Sequence, residues 1–153
     1  MRIALLGATA LAIVIPVATW ADDPLWHKNC PPSGTCFVEQ FVQVMPQKVV
    51  LLHARFDPVN ADGQSVVTFT VPPGVLLGGG LSLSVDGAKP LFLPYERCPT
   101  GGCRATAVLD KGALNMMKIG KVLTARYAMT ADKGIDIPIR LTGLDDALKS
   151  LSK

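Results

Sequence analysis

Residues 81–109 read LSLSVDGAKPLFLPYERCPTGGCRATAVL. Leu81, Leu83 and Val85 alternate with Ser82 and Ser84, the period of a strand with one buried face. Asp86-Gly87 is a strong turn dipeptide. Two extended runs follow, Pro90 to Cys98 and Cys103 to Leu109, on either side of Pro99-Thr100-Gly101-Gly102. Apolar and aromatic residues, a short Gly-containing loop and a second alternating run predict a β-hairpin. The cysteines stand where its strands leave the turn. Facing positions of an antiparallel pair come close enough for a disulfide, so Cys98–Cys103 is expected to lock the hairpin and its register. The loop it closes is short, and the chain-entropy gain is about 2 kcal/mol. Register matters more, because a slip of one residue turns the buried face outward.

Outward from this stretch the chain reads as more of the same. Trp26 is a candidate core anchor in a short strand. Phe37 to Met45, Lys48 to Phe56 and Val66 to Val71 are rich in β-branched and aromatic residues and read as strands. They are separated by turn-rich segments at 31–35 and 57–63. Asp110 can cap a short helix near 112–119, with Gly120 as its stop. Val122 to Met129 and Gly134 to Leu141 form a last strand pair, and Pro138 marks an edge or a bulge. Leu144, Ala147, Leu148 and Leu151 fall on one face of a C-terminal helix near 144–152. The expectation is a mainly all-β single domain. It has about eight to nine short strands arranged as a β-sandwich or partly open barrel.

Residues 1–21 carry Arg2, an apolar run and Thr19-Trp20-Ala21, the layout of a secretory signal cleaved before Asp22. Retention as a membrane anchor is the alternative, although the apolar run is short for a span. Cleavage leaves residues 22–153 as one domain, long enough for a core. The net charge of the whole chain is +3, one unit of which belongs to Arg2. So weak and dispersed a charge argues against nucleic acid. Four cysteines after an export signal read as two disulfides in an oxidising compartment. Three pairings are open, and the short spacings favour Cys30–Cys36 with Cys98–Cys103. Neither pair is Cys-x-x-Cys, which argues against thioredoxin-type redox chemistry. His27 and His53 stand at no zinc-ligand spacing, and no metal or cofactor is expected.

Several short motifs together resemble the invasion-associated locus B family of Gram-negative bacteria. They are Trp26, the Cys30…Cys36-Phe37 pair, Val71-Pro72-Pro73-Gly74-Val75 and Leu83-Ser84-Val85-Asp86-Gly87. Pro94-Tyr95-Glu96-Arg97-Cys98, Gly102-Cys103 and Leu141-Thr142-Gly143-Leu144 with Ala147-Leu148 complete the set. The resemblance implies a β-rich periplasmic or envelope-associated domain. The family's name comes from a link to host-cell invasion in some pathogens, and it implies no general biochemical activity.

Catalytic motifs are sparse. Gly78-Gly79-Gly80 lacks the Gly-Lys-Ser/Thr ending of a phosphate loop and reads as a flexible turn. His53 could serve as a general base, but no nucleophile or orienting acid can be assigned to it, so a structural histidine is favoured. Asp86, Asp110, Asp132 and Asp136 do not form a calcium loop. Met116 and Met117 on the short helix could make an adaptable docking surface, but core filling is favoured. Glu96 and Arg97 are a candidate binding pair or an ordinary surface ion pair. Low charge and a missing catalytic set favour a non-enzymatic envelope protein that binds or helps assemble a protein partner. The candidate partner surface is Pro72, Val75, Leu76 and Leu77, with Tyr95, Glu96 and Arg97. A secreted factor contacting host cells is the alternative, and a hydrolase or lyase on a β-sandwich the remote one.

Overall fold

Ser65 to Val71 alternates Ser, Val, Phe and Val inward against Val66, Thr68 and Thr70 outward. The same period recurs in its neighbours. Strands of this kind can bury one face only if a second layer covers it. The computed structural model describes residues 25–152. Its elements in chain order are β1 (His27–Asn29), β2 (Phe37–Val44), β3 (Val49–Phe56), β4 (Ser65–Val71), β5 (Leu81–Val85), β6 (Leu91–Leu93), β7 (Cys103–Leu109), α1 (Lys111–Ile119), β8 (Val122–Thr130), β9 (Lys133–Arg140) and α2 (Leu144–Ser150). The predicted signal over 1–21 lies outside the described residues.

Five strands form one sheet, in the order β1-β2-β3-β4-β7, and four form the other, β6-β5-β8-β9. Every pairing is antiparallel. The sheets stay separate, so the architecture is a sandwich and not a closed barrel. Leu52, Ala54 and Phe56 of β3 and Val67, Phe69 and Val71 of β4 face Leu81, Leu83, Leu123, Ala125 and Ile139 across the core. Each large apolar side chain buried there contributes roughly 1.5–3 kcal/mol. Trp26 closes one end, edge-on to Phe56 with ring centroids 5.4 Å apart. Two polar links cross between the sheets. The Tyr127 hydroxyl donates to the Leu51 carbonyl at 3.1 Å, and Gln40 Nε2 donates to the Arg140 carbonyl at 3.1 Å.

The organising stretch holds one correction. Pro90 to Cys98 and Cys103 to Leu109 do not form one hairpin. β6 pairs with β5 in the four-stranded sheet, whereas β7 pairs with β4 in the five-stranded one. Between them the chain changes layers, and a single bridge, Arg97 to Arg104, joins its two arms. Gly102, at φ +125°, sits so close to β4 that a Cβ would press on the Val71 carbonyl. Local alternation reports that a strand exists. It does not say which strand it pairs with.

The helices follow their sequence signals. Asp110 Oδ1 accepts the Ala113 N–H at 2.8 Å, the N-cap of α1. Leu114 and Met117 face the core. Met116 and Ile119 stay exposed, so the Met116–Met117 pair splits between surface and core. Gly120 ends α1 in an extended conformation rather than a left-handed one. The position excludes a side chain, because a Cβ would fall 2.6 Å from Val85 Cγ1. α2 buries Leu144 and Leu148, and Asp145 bridges the helices through Lys118 at 3.3 Å. Gly78 and Gly79 lie in one 3-10 turn, Leu77–Gly79.

Every sheet edge is interrupted. β1 and β6 are three residues long. β9 carries Pro138. β7 is met at Arg104 by the backbone of Glu96 and Arg97.

Asp86 does more than turn the chain. At φ +49° its carboxylate accepts the Val122 N–H at 2.9 Å and the Lys121 N–H at 3.0 Å. It thereby ties the end of β5 to the start of β8. The Val122 N–H, then that of Lys121, hold its carboxyl below the usual carboxylate range. A lowered folded-state pKa contributes stability that is full above the unfolded value near about 4 and lost as pH falls through the folded value. Asp86→Asn keeps the turn but loses the charge. It is expected to lower Tm at pH 7, with the gap to the parent closing at the acid end of a pH series. A gap independent of pH would show that the carboxylate charge contributes nothing.

Candidate functional site

The outer face of the five-stranded sheet concentrates the chain's unusual surface residues. The registers place them in transverse rows. Phe41 lies opposite His53, His53 opposite Thr70, Thr70 opposite Arg104, and Arg104 opposite Arg97. The adjacent row runs His27, Glu39, Arg55, Thr68, Thr106.

His53 Nε2 meets Glu39 Oε2 at 2.8 Å, and its ring stacks flat on Phe41 with centroids 4.3 Å apart. Arg55 sends Nε and Nη2 to Asp57 Oδ1, at 2.9 and 2.7 Å, while its guanidinium lies 3.8 Å above the Phe37 ring. Phe37 thus points outward yet stays buried beneath an arginine. Such stacking suits a guanidinium, which is weakly hydrated. Arg97 and Arg104 make no ion pair among the described residues. They border a groove of about 320 Å³ together with His53, Thr70, Thr106 and Glu96. His53, Thr70 and Arg104 also line a second, more apolar depression with Phe41, Val50, Pro72 and Pro73.

A histidine paired with a carboxylate is half of a catalytic arrangement. The other half is a nucleophile hydrogen-bonded to the ring. Only threonine hydroxyls share the groove, and none bonds to His53 among the described residues. Glu39 fixes the ring on one side and Phe41 covers its face. The geometry serves as a flat aromatic platform more readily than as a base. Among the described residues, no group of three or more His, Cys, Asp or Glu side chains is placed to hold a metal. Nor is any helix long and apolar enough to cross a membrane.

The residues singled out in the sequence are divided between this face and elsewhere. Val75 is 7% exposed and belongs to the core, so it is not available as a surface contact. Leu76 and Leu77 stay exposed beside it, on the flank where the Leu76 N–H donates to Ala128. Pro72 borders the apolar depression. Tyr95 also differs from expectation. It packs against the core, and burial, then the neighbouring Tyr127, push its hydroxyl up to about 12. That oxygen is buried with no partner among the described residues. Glu96 and Arg97 line the groove but form no ion pair with each other. Both disulfides, Cys30–Cys36 and Cys98–Cys103, are formed, and no cysteine is free among the described residues.

Phe41, Thr70 and Arg104 escaped the sequence reading. Each is simply an outward position of its own strand. They meet only because the strand order skips from β4 to β7.

Comparison with known proteins adds two findings. The family model described as "Invasion associated locus B (IalB) protein" matches residues 26–152. The crystal structure of invasion associated protein B from Bartonella henselae is similar, with a TM-score of 0.74 at 26% sequence identity. That likeness covers 84% of this chain and 92% of the other. No curated protein matches the chain.

Two mutational outcomes follow from these placements. Cys98→Ser with Cys103→Ser is expected to lower stability by about 2 kcal/mol. The amide resonances of Arg97 and Arg104 should also broaden as their bridge loosens. Unchanged Tm and sharp amides would make the bond irrelevant to the groove. Val75→Asp should abolish cooperative unfolding by burying a charge. Leu77→Asp should change stability by no more than about 0.5 kcal/mol. Equal melting of the two variants would refute the inward placement of Val75.

Proposed function

We propose that this chain, which belongs to the invasion associated locus B family, acts as an exported envelope protein that binds or helps assemble a protein partner and catalyses no reaction. One observation carries the reading. The outer sheet face sets an aromatic platform, two arginines without a counter-charge and an apolar shelf side by side, with no nucleophile joined to its histidine. Phe41, Val49 and Val50 are 43%, 52% and 37% exposed there. Apolar surface gathered in one place and rimmed by polar groups is the usual mark of an interface. This face, rather than Pro72–Leu77 as a whole, is the better docking surface, because Val75 is needed in the core. Two disulfides and an N-terminal signal pattern support export to an oxidising compartment.

A second reading has its own support. The similar Bartonella protein is named for invasion, which favours a factor that contacts host cells. Location separates the two, since a protein held in the periplasm cannot touch a host surface.

A photo-crosslinking residue replacing Val50 is expected to give one discrete product in intact cells. The same residue at Met129, on the other sheet, should not. Absence of any product from position 50 would remove this face as the docking surface. Fractionation of the same cells tests the second reading. Protein found wholly in the periplasm would eliminate host contact.

A further inference from the structure

We infer that the row from Phe41 to Arg97 receives an extended peptide segment that bears a carboxylate a few residues from an apolar side chain. The inference rests on the reading of this face as a protein-docking surface and names the chemistry of the partner.

Arg97 and Arg104 lie directly opposite each other across their bridge. Facing residues of an antiparallel pair project to the same side, and like charges so placed repel. Both flank the cysteines of one disulfide, so a covalent bond keeps the two guanidinium groups together. Elsewhere on the face Arg55 is paired with Asp57, and Glu39 is hydrogen-bonded to His53. Glu96 borders the same groove but pairs with neither arginine. Two like charges held together and left uncompensated await an anion from outside. The planar fork of arginine suits a carboxylate in two-point contact, with the Thr70 hydroxyl at hand between Arg104 and His53.

Distance fixes the rest of the ligand. Adjacent strands lie about 4.8 Å apart, so Phe41, three strands from Arg104, is roughly 14 Å away. An extended peptide advances about 3.3 Å per residue and covers that span in about four steps. Its apolar residue then rests on the shelf of Phe41, Val50 and Pro73. A membrane surface fits less well. Anionic lipid recognition draws on about four to eight clustered basic residues, whereas three carboxylates, Glu39, Asp57 and Glu96, share this face with its arginines.

The probe is a blocked pentapeptide with leucine first, glutamate fifth and serines between, titrated into the exported protein while backbone amide shifts are followed. Shifts should be confined to β2, β3, β4, β7 and residues 72–73 and 94–102. Affinity should fall about tenfold, the loss of one charge-assisted hydrogen bond, when the glutamate becomes glutamine or when Arg104→Gln is introduced. Arg104→Glu should bind the peptide with lysine fifth in preference to the parent peptide. Replacing the leucine with serine should weaken binding as well. Shifts on the four-stranded sheet, or no shifts, would overturn the inference. So would inorganic phosphate binding as tightly as the peptide, or vesicles of phosphatidylglycerol binding through the same arginines. The Val50 crosslink distinguishes the two readings. If it persists in the Arg97→Gln, Arg104→Gln variant, the docking face stands and carboxylate recognition falls.

Discussion

Between Leu93 and Cys103 the chain has to leave one sheet and enter the other. Nine residues, 94–102, manage it. They include two prolines, a half-buried tyrosine, one backbone bridge and one half of a disulfide. The layer change places β7 beside β4, and that completes the five-stranded sheet. Without β7, the inner faces of Phe69 and Val71 would lose Ala105 and Cys103 as neighbours in the pairing. The outer rows would also end at β4. The close approach of Gly102 to the Val71 carbonyl shows how little room the crossing has. A single constraint on the path of the chain thus supports both the core and the exposed face.

Most of the strands and both helices were legible in the sequence, because their signals are local. Asp110 caps α1 as its position predicted, Pro138 sits on an edge strand, and the 144, 147, 148, 151 stripe packs inward. What was not legible was non-local. The alternation of Cys103 to Leu109 is the same whether the partner strand is β6 or β4. Val75 sits among apolar neighbours, and nothing in Val75-Leu76-Leu77 says which of the three turns inward. The face bearing Phe41, His53, Thr70 and Arg104 could be assembled only once the order of four strands was known. Asp86-Gly87 reads as a local turn, but the bonds of Asp86 to Lys121 and Val122 reach 35 and 36 residues ahead.

The core also tolerates unsatisfied polar groups. Trp26 Nε1 and the Tyr95 hydroxyl are buried with no hydrogen-bond partner among the described residues. Each such group costs about 1–3 kcal/mol. Trp26 offsets this by its edge-on contact with Phe56 and its coverage of one end of the core. Tyr95 stands at the layer change, where an aromatic side chain fills the seam beside Tyr127 and the chain continues directly into the groove.

The interrupted sheet edges reach beyond the fold of one molecule. Fibrillar aggregation spreads when the last strand of one protein hydrogen-bonds the last strand of another. Three-residue strands give such growth too little to hold, a proline supplies no donor, and the fourth flank is already occupied at Arg104. The domain can therefore keep an apolar shelf open to its surroundings while shortening the backbone template that would turn sticking into polymerisation.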